Sequence, residues 1–381
     1  MRLLKIPRIL NRELVLLVGL FLFAIAAFVF TKRLAAREQQ FDARLAAIWF
    51  ERGSAYLQAG KTDQAISAFR KATSDTENNP KYALALANAL AAEGQNSEAE
   101  QLLLRLRESD PESAETNIQL ARLMAEQGDT QQAIHYYQNA LYGRWAPDQG
   151  EARRKVRYEL VRFLLGHQQR ELASSELLIL QARTPDSLPT HLELAKLFIE
   201  AGDTPRALQE YAAAARIDSR NAEALIGAGN AAFQLGDYSK AEDYLRSALD
   251  TEPDAPHVQE LLTLTQKVQS EDPLLPHLSR AERQKRLLAA LQRSIARLDT
   301  CLSQQALSSE ASAKLQAAKA EGTAALPKFS DPGHPPDSDT ARSGVGLVYQ
   351  LQQTASGSCG TPTPDDQALL LIGRNHSGDR P

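Results

Sequence analysis

Cysteine is almost absent: Cys301 and Cys359 are the only two in 381 residues, and neither stands at C-x-x-C spacing to the other or at ligand spacing to a histidine. A zinc module and a c-type haem attachment are therefore not encoded. An excess of positive charge is missing too. Lys and Arg number 43 against 47 Asp and Glu, a net charge of −4, and no nucleic acid is expected as a partner because counterion release needs a clustered basic face. There is no dinucleotide fingerprint, since Gly344-Val345-Gly346 lacks a third glycine and a strand-turn-helix setting. In the last third His334, His376 and Cys359 stand apart, with no histidine and acid at a spacing that would activate a thiol. The chain is expected not to be an enzyme and to need no cofactor. Apolar residues are not scarce. At 43% hydrophobic and 24% charged the composition is that of a globular protein, with room for two or three domains.

What is abundant is repetition. Gly60, Ala65, Phe69 and Ala72 return as Gly94, Ala99, Leu103 and Leu106, and again as Gly128, Ala133, Tyr137 and Ala140, at intervals of thirty-four residues. That is the period of a helix-turn-helix repeat. From Ala46, the residues Trp49, Gly53, Tyr56, Ala65, Phe69 and Ala72 fall at repeat positions 4, 8, 11, 20, 24 and 27. These positions resemble the W-x-x-L-G-x-x-Y and A-x-x-x-F pattern of the tetratricopeptide repeat (TPR) family, with Arg52 in place of the usual leucine. The resemblance implies an all-α fold in which stacked helical hairpins form a solenoid.

Six repeats follow from the register: 46–79, 80–113, 114–153, 154–187, 188–221 and 222–255, with 256–270 as a capping helix over the last apolar face. The third is long. Ala133 to Ala173 is forty residues, which places a six-residue insertion within 143–150. The fourth has Gln168 where the others have glycine, yet Ala173, Ala207 and Ala241 resume the interval of thirty-four.

Ahead of the repeats, residues 1–13 are basic and residues 14–30 (LVLLVGLFLFAIAAFVF) carry no charge, a length at the lower limit for crossing a hydrocarbon core. Together they read as a transmembrane signal anchor, with Arg2, Lys5, Arg8 and Arg12 on the cytoplasmic side and the bulk of the chain outside the cytoplasm, periplasmic in a bacterial inner membrane. A cleaved secretory peptide ending near Ala24-Ile25-Ala26 is the competing reading, against which the apolar run continues to Phe30. Lys32, Arg33 and Arg37 weaken the charge bias in a polar spacer, 31–45.

In the solenoid that the resemblance implies, first helices line the concave face. Position 9 reads Ser54, Asn88, Arg122, Arg162, Lys196 and Asn230, and position 5 reads Phe50, Leu84, Ile118, Tyr158, Leu192 and Ile226. Asparagines can bond a peptide backbone, cations can take a carboxylate, and the apolar strip can take side chains, so a protein or extended peptide is the expected partner. The competing reading is a charge-balanced surface in which Glu115, Glu126, Glu159, Glu193 and Glu200 pair with those cations. The lysine and asparagine set of carboxylate-clamp TPR domains is not reproduced.

The C-terminal third is expected to be a small, mostly helical module. Ser279 to Glu282 forms a capping box, and Leu288, Leu291, Ile295, Leu298 and Leu302 make one apolar seam that can pair with another copy or dock within the chain. With an alanine-rich stretch at 308–320 this gives a helical segment over 279–320, a proline-rich linker at 326–340 and short helices over 341–381. An oxidising compartment would let Cys301 and Cys359 pair; in the cytoplasm they would stay thiols. The whole resembles membrane-anchored bacterial TPR proteins, which implies a scaffold in assembly of a cell-envelope complex. A cytoplasm-facing regulator, similar to the anchored TPR proteins that control lipopolysaccharide synthesis, is the alternative, although the cysteine-rich metal module of those proteins is lacking. Chemistry in the C-terminal module is the last.

Overall fold

The computed structural model describes residues 8–74, 79–304 and 307–377, and every regular element among them is a helix. The chain divides into two compact units, Met1–Leu160 and Val161–Pro381. The first holds α1 (Arg8–Gln58), α2 (Thr62–Ser74), α3 (Pro80–Ala92), α4 (Asn96–Ser109), α5 (Ala114–Glu126) and α6 (Thr130–Tyr142), and its boundary falls inside α7 (Gly150–Gly166). The second continues with α8 (Arg170–Arg183), α9 (Leu188–Ala201), α10 (Thr204–Ile217), α11 (Ala222–Gln234), α12 (Tyr238–Thr251) and α13 (Pro256–Glu271). It ends with α14 (Arg280–Gln304), α15 (Ser309–Ser330), α16 (Ser338–Ser356) and α17 (Pro364–Ser377).

The repeat register is a size constraint. Position 20 is Ala65, Ala99, Ala133, Ala173, Ala207 and Ala241, each 0% exposed, because only a small side chain lets the two helices of a hairpin approach closely. At position 8, a Cβ added to Gly53 would lie 2.6 Å from the Phe69 ring, and one added to Gly229 would lie 2.7 Å from Leu245. The large residue at position 24 thus packs on the backbone of the facing helix.

Each hairpin turns through a left-handed residue: Gly60, Gly94, Gly128, Gly202 and Gly236 have φ between 69° and 83°. In every turn the next amide reaches back five residues, from Lys61 to Tyr56 O through Asp237 to Ala232 O, at 2.8–2.9 Å. Asp129, Asp203 and Asp237 then cap the second helix by accepting from Gln132 N, Arg206 N and Lys240 N. The fourth hairpin keeps this geometry with a side chain in it. Gln168 sits at φ 60°, and Gln169 N still bonds Leu164 O at 2.9 Å. Replacing Gln168 by glycine should therefore stabilise the second unit by about 1 kcal/mol, the penalty of a left-handed non-glycine residue less the entropy glycine adds to the unfolded chain. Urea unfolding should show a higher midpoint at unchanged slope.

The insertion at 143–150 is divided. Residues 143–149 form a longer loop, and α7 begins four residues before the expected repeat start at 154. The loop is tied down: Arg144 N bonds Glu112 O at 2.7 Å, and the Trp145 indole donates to Ala140 O at 2.7 Å.

Two expected segments are corrected. The spacer 31–45 is not a separate element, since α1 runs unbroken from Arg8 to Gln58. TKRLAAREQQFDARL contains no glycine or proline and is rich in helix formers, so its charges solvate the helix rather than end it. The proline-rich linker expected at 326–340 is shorter, 331–337: α15 extends to Ser330 with Pro327 in its last turn, and α16 begins at Ser338. Buried Phe329 anchors that last turn, and Gln284 Nε2 donates to Phe329 O and Asp331 O at 2.8 Å each. The helical segment expected at 279–320 is accordingly two helices, and the second ends ten residues later than expected.

The Ser279 hydroxyl does accept from Glu282 N at 3.1 Å, while the Glu282 carboxylate bonds Arg286. The α14 seam is covered by its own chain. Leu291 and Leu298 of the seam are fully buried in one core with Leu315, Val345, Val348, Leu351 and Ile372. Leu288, Ile295 and Leu302 pack against it partly buried, and Leu287, outside the expected seam, is buried with them. Tyr238 and Val268 belong to the same core, so the module is built onto the last hairpin and α13. Asn375 Nδ2 donates to Gly236 O at 3.5 Å, and His376 Nε2 meets buried Asp272 at 2.9 Å. Cys301, at the end of α14, is bonded to Cys359 in the α16–α17 loop, with Cα atoms 5.3 Å apart.

Candidate protein-binding face

Position 9 of each first helix was the expected reader of a peptide. The cations at that position are already engaged. In the first unit Arg122 grips Glu159 with both ends of its fork, Nε to Oε1 at 2.8 Å and Nη2 to Oε2 at 2.7 Å, and the Tyr137 hydroxyl donates to the same Oε1 at 2.7 Å. Desolvation alone would raise the Glu159 pKa, but the bonds from Arg122 and Tyr137 outweigh it and hold the carboxyl below its ordinary range. Burial, and then the bond to Glu159, pushes the Tyr137 phenol up.

In the second unit Arg162 pairs with Glu193, and Lys196 pairs with Glu223 at 2.6 Å. Each acid stands on the first helix of the following repeat. The three cations thus join neighbouring repeats, Arg122 in one unit and Arg162 and Lys196 in the other, and all three are paired with acids, as the charge-balanced reading of the face expects. Glu159 and Glu193 were among the acids foreseen as partners. Glu223, the partner of Lys196, was not among them.

The remaining residues of the face divide in the same way. Ser54 donates to Phe50 O at 3.0 Å and is used within its own helix. Phe50 is not an open docking surface: its ring lies 4.9 Å from Tyr82 and 5.7 Å from Phe69, with the Lys81 ammonium 4.6 Å above it. Tyr158 is half-buried in α7. The two asparagines differ from the cations. Asn88, half-buried on α3 of the first unit, and Asn230, exposed on α11 of the second, make no side-chain hydrogen bond among the described residues. Each keeps an amide donor and an acceptor for a peptide backbone.

Sequence spacing missed a second polar clip in the second unit. His191 lies between two carboxylates, Nδ1 2.6 Å from Glu210 Oε2 and Nε2 2.7 Å from Asp186 Oδ1, and Glu210 itself is buried. Desolvation lowers the imidazole pKa, but the bonds to Asp186 and Glu210 outweigh it and the net shift is upward from the ordinary 6.5. A raised folded pKa means that the folded state holds the proton more tightly. The stabilisation is therefore complete below about pH 6.5 and fades as pH rises through the folded pKa of His191. Thermal unfolding should show this loss on the alkaline side, and His191→Gln should flatten it.

A further polar cluster lies inside the C-terminal helices. Gln352, fully buried, donates to Ser294 Oγ at 3.1 Å and to Asp366 Oδ1 at 3.2 Å, while Arg297 bonds the Gln352 carbonyl. Beside it a cleft of about 400 Å3 is bounded by Arg293, Arg297, Asp365, Asp366 and the disulfide. Its charges answer one another, Arg293 with Asp365 at 3.7 Å and Arg297 with Asp366 at 3.6 Å, and Arg293 also pairs with Glu271 at 2.7 Å.

The hairpins, the left-handed turns and the row of first helices define an α-helical repeat protein, and arrays of this class are protein-interaction scaffolds. Sequence profiles described as tetratricopeptide repeat match residues 56–126 and 198–264, and a second profile of the same description matches 23–83. The chain is a tetratricopeptide repeat protein. No curated protein matches its sequence. Among solved structures it is similar to the C-terminal part of a TPR protein from Cytophaga hutchinsonii, at 19% identity over 63% of this chain and 99% of that one, with a TM-score of 0.44. It is also similar to PilW, a type IV pilus biogenesis factor, at 20% identity over 57% of this chain and 98% of that one, TM-score 0.37. A third is YrrB, a TPR protein with an unusual peptide-binding site, at 20% identity over 50% and 96%, TM-score 0.39.

Proposed function

We propose that the chain is a membrane-anchored scaffold that holds another protein at the surface of the inner membrane during assembly of a cell-envelope complex. The observation that carries the binding reading is the pair Asn88 and Asn230, which keep free amides at position 9, while the cations at that position on the first helices between them in the chain are already committed. The anchor reading rests on α1, whose most apolar window has a mean hydropathy of 2.4 and is 0% buried. The disulfide favours an extracytoplasmic position for the repeats, because such bonds persist in oxidising compartments. The reading assigns the chain no catalysis and no nucleic acid.

A photoreactive residue at Asn88 or Asn230 tests the binding face in intact cells. A discrete adduct is expected from each, and none from the exposed second-helix positions Arg105 and Asp250. Equal labelling at all four would remove the face. A reporter fused after Pro381 that works only in the cytoplasm would, if active, overturn the assigned side of the membrane.

A further inference from the structure

α1 bears an apolar seam that continues past the uncharged stretch. Leu34, Phe41 and Ile48 succeed one another at intervals of seven and are 57%, 67% and 50% exposed. An interval of seven returns to nearly the same face of a helix. Half-buried Leu45 falls in the alternate register, three residues before Ile48 and four after Phe41. Carried back at three and four, the register passes through Thr31 to Ala27 and Ala24. Small residues thus lie on the seam inside the apolar stretch, where they permit close helix approach, and large ones lie beyond it.

We propose that this seam pairs α1 with α1 of a second copy in a parallel two-stranded coiled coil. The proposal rests on the anchor reading, since two chains held in one membrane present α1 parallel and at equal depth. Lipid does not account for the upper part of the seam: Phe41 stands eleven residues beyond Phe30, about 16 Å along the axis of an upright helix. Charge complementarity supports a second copy as the occupant. With Leu34, Phe41 and Ile48 as d residues, Arg37 is a g residue and Asp42 the e residue five further on, so Arg37 of each chain faces Asp42 of the other. Glu38, the charged a residue, stands beside the other chain's Arg37, whose opposite charge offsets its place in the seam.

The test uses the full chain in its native membranes, with Cys301 and Cys359 bonded to each other. Oxidation of Phe41→Cys should yield a covalent dimer, severalfold more than Gln39→Cys, which lies on the opposite, exposed face of α1. Adding Arg37→Glu to Phe41→Cys should lower the yield, and adding Asp42→Arg as well should restore it. The same membranes are washed with alkaline carbonate. Equal yields at the two positions, or no dimer from a chain that stays in the washed pellet, would overturn the pairing and leave the anchor standing. Release of the chain by carbonate would overturn the anchor and the pairing with it.

Discussion

Replacing both Cys301 and Cys359 by serine is expected to lower the stability of the second unit by about 4 kcal/mol, the chain-entropy value for a cross-link over a loop of this length. The bond spans 58 residues, from the end of α14 to the loop before α17, and so encloses α15 and α16. Cys301 is itself buried in the core shared by those helices, where it meets the large cluster around Leu298 and Val348. A stability of about 5–15 kcal/mol is usual for a whole domain, so this one bond decides whether the C-terminal helices stay docked. Urea unfolding of the serine pair should match that of the parent chain in reductant. Coincident curves for the oxidised parent and the serine pair would show that the bond contributes nothing.

Phe69→Ala should destabilise the first hairpin by about 4 kcal/mol, the usual range for a buried phenylalanine truncated to alanine. Phe69 is 1% exposed and lies flat against Gly53, where no side chain can move in to fill the space. The Phe50 ring, 5.7 Å away, loses its neighbour as well. Because the protein has two units, the effect should be read locally. Amide protection in α2, at Ala65 and Ala68, should collapse while protection at Leu177 and Leu245 in the second unit stays. Uniform loss in both units, or no loss, would remove the packing argument.

The hairpins were legible because their constraints are local and steric. Alanine at position 20 and a left-handed residue at the turn repeat with the register, and Gln168 could be placed in that turn by its distance to Ala173 alone. Other features depend on partners that lie far away in sequence. Arg122 and Glu159 are thirty-seven residues apart, Arg162 and Glu193 thirty-one, and Lys196 and Glu223 twenty-seven, so no single interval announces that the cations are engaged. The α14 seam declared an apolar face, but the helices that cover it were hidden by a proline count. Pro327 enters only the last turn of α15, and Phe329 two residues on supplies the anchor that keeps that turn helical. In α1 the charges of 31–45 suggested a spacer, although nothing in that stretch breaks a helix. That continuity matters for the proposed function, because one helix carries both the apolar stretch and the first helix of the first repeat.

The central claim is that α1 keeps the repeats at a membrane. Peptide mapping of the chain recovered from carbonate-washed membranes tests it directly. The account predicts that the chain remains in the pellet and still contains residues 14–30; a soluble chain lacking everything up to Ala26 would contradict it.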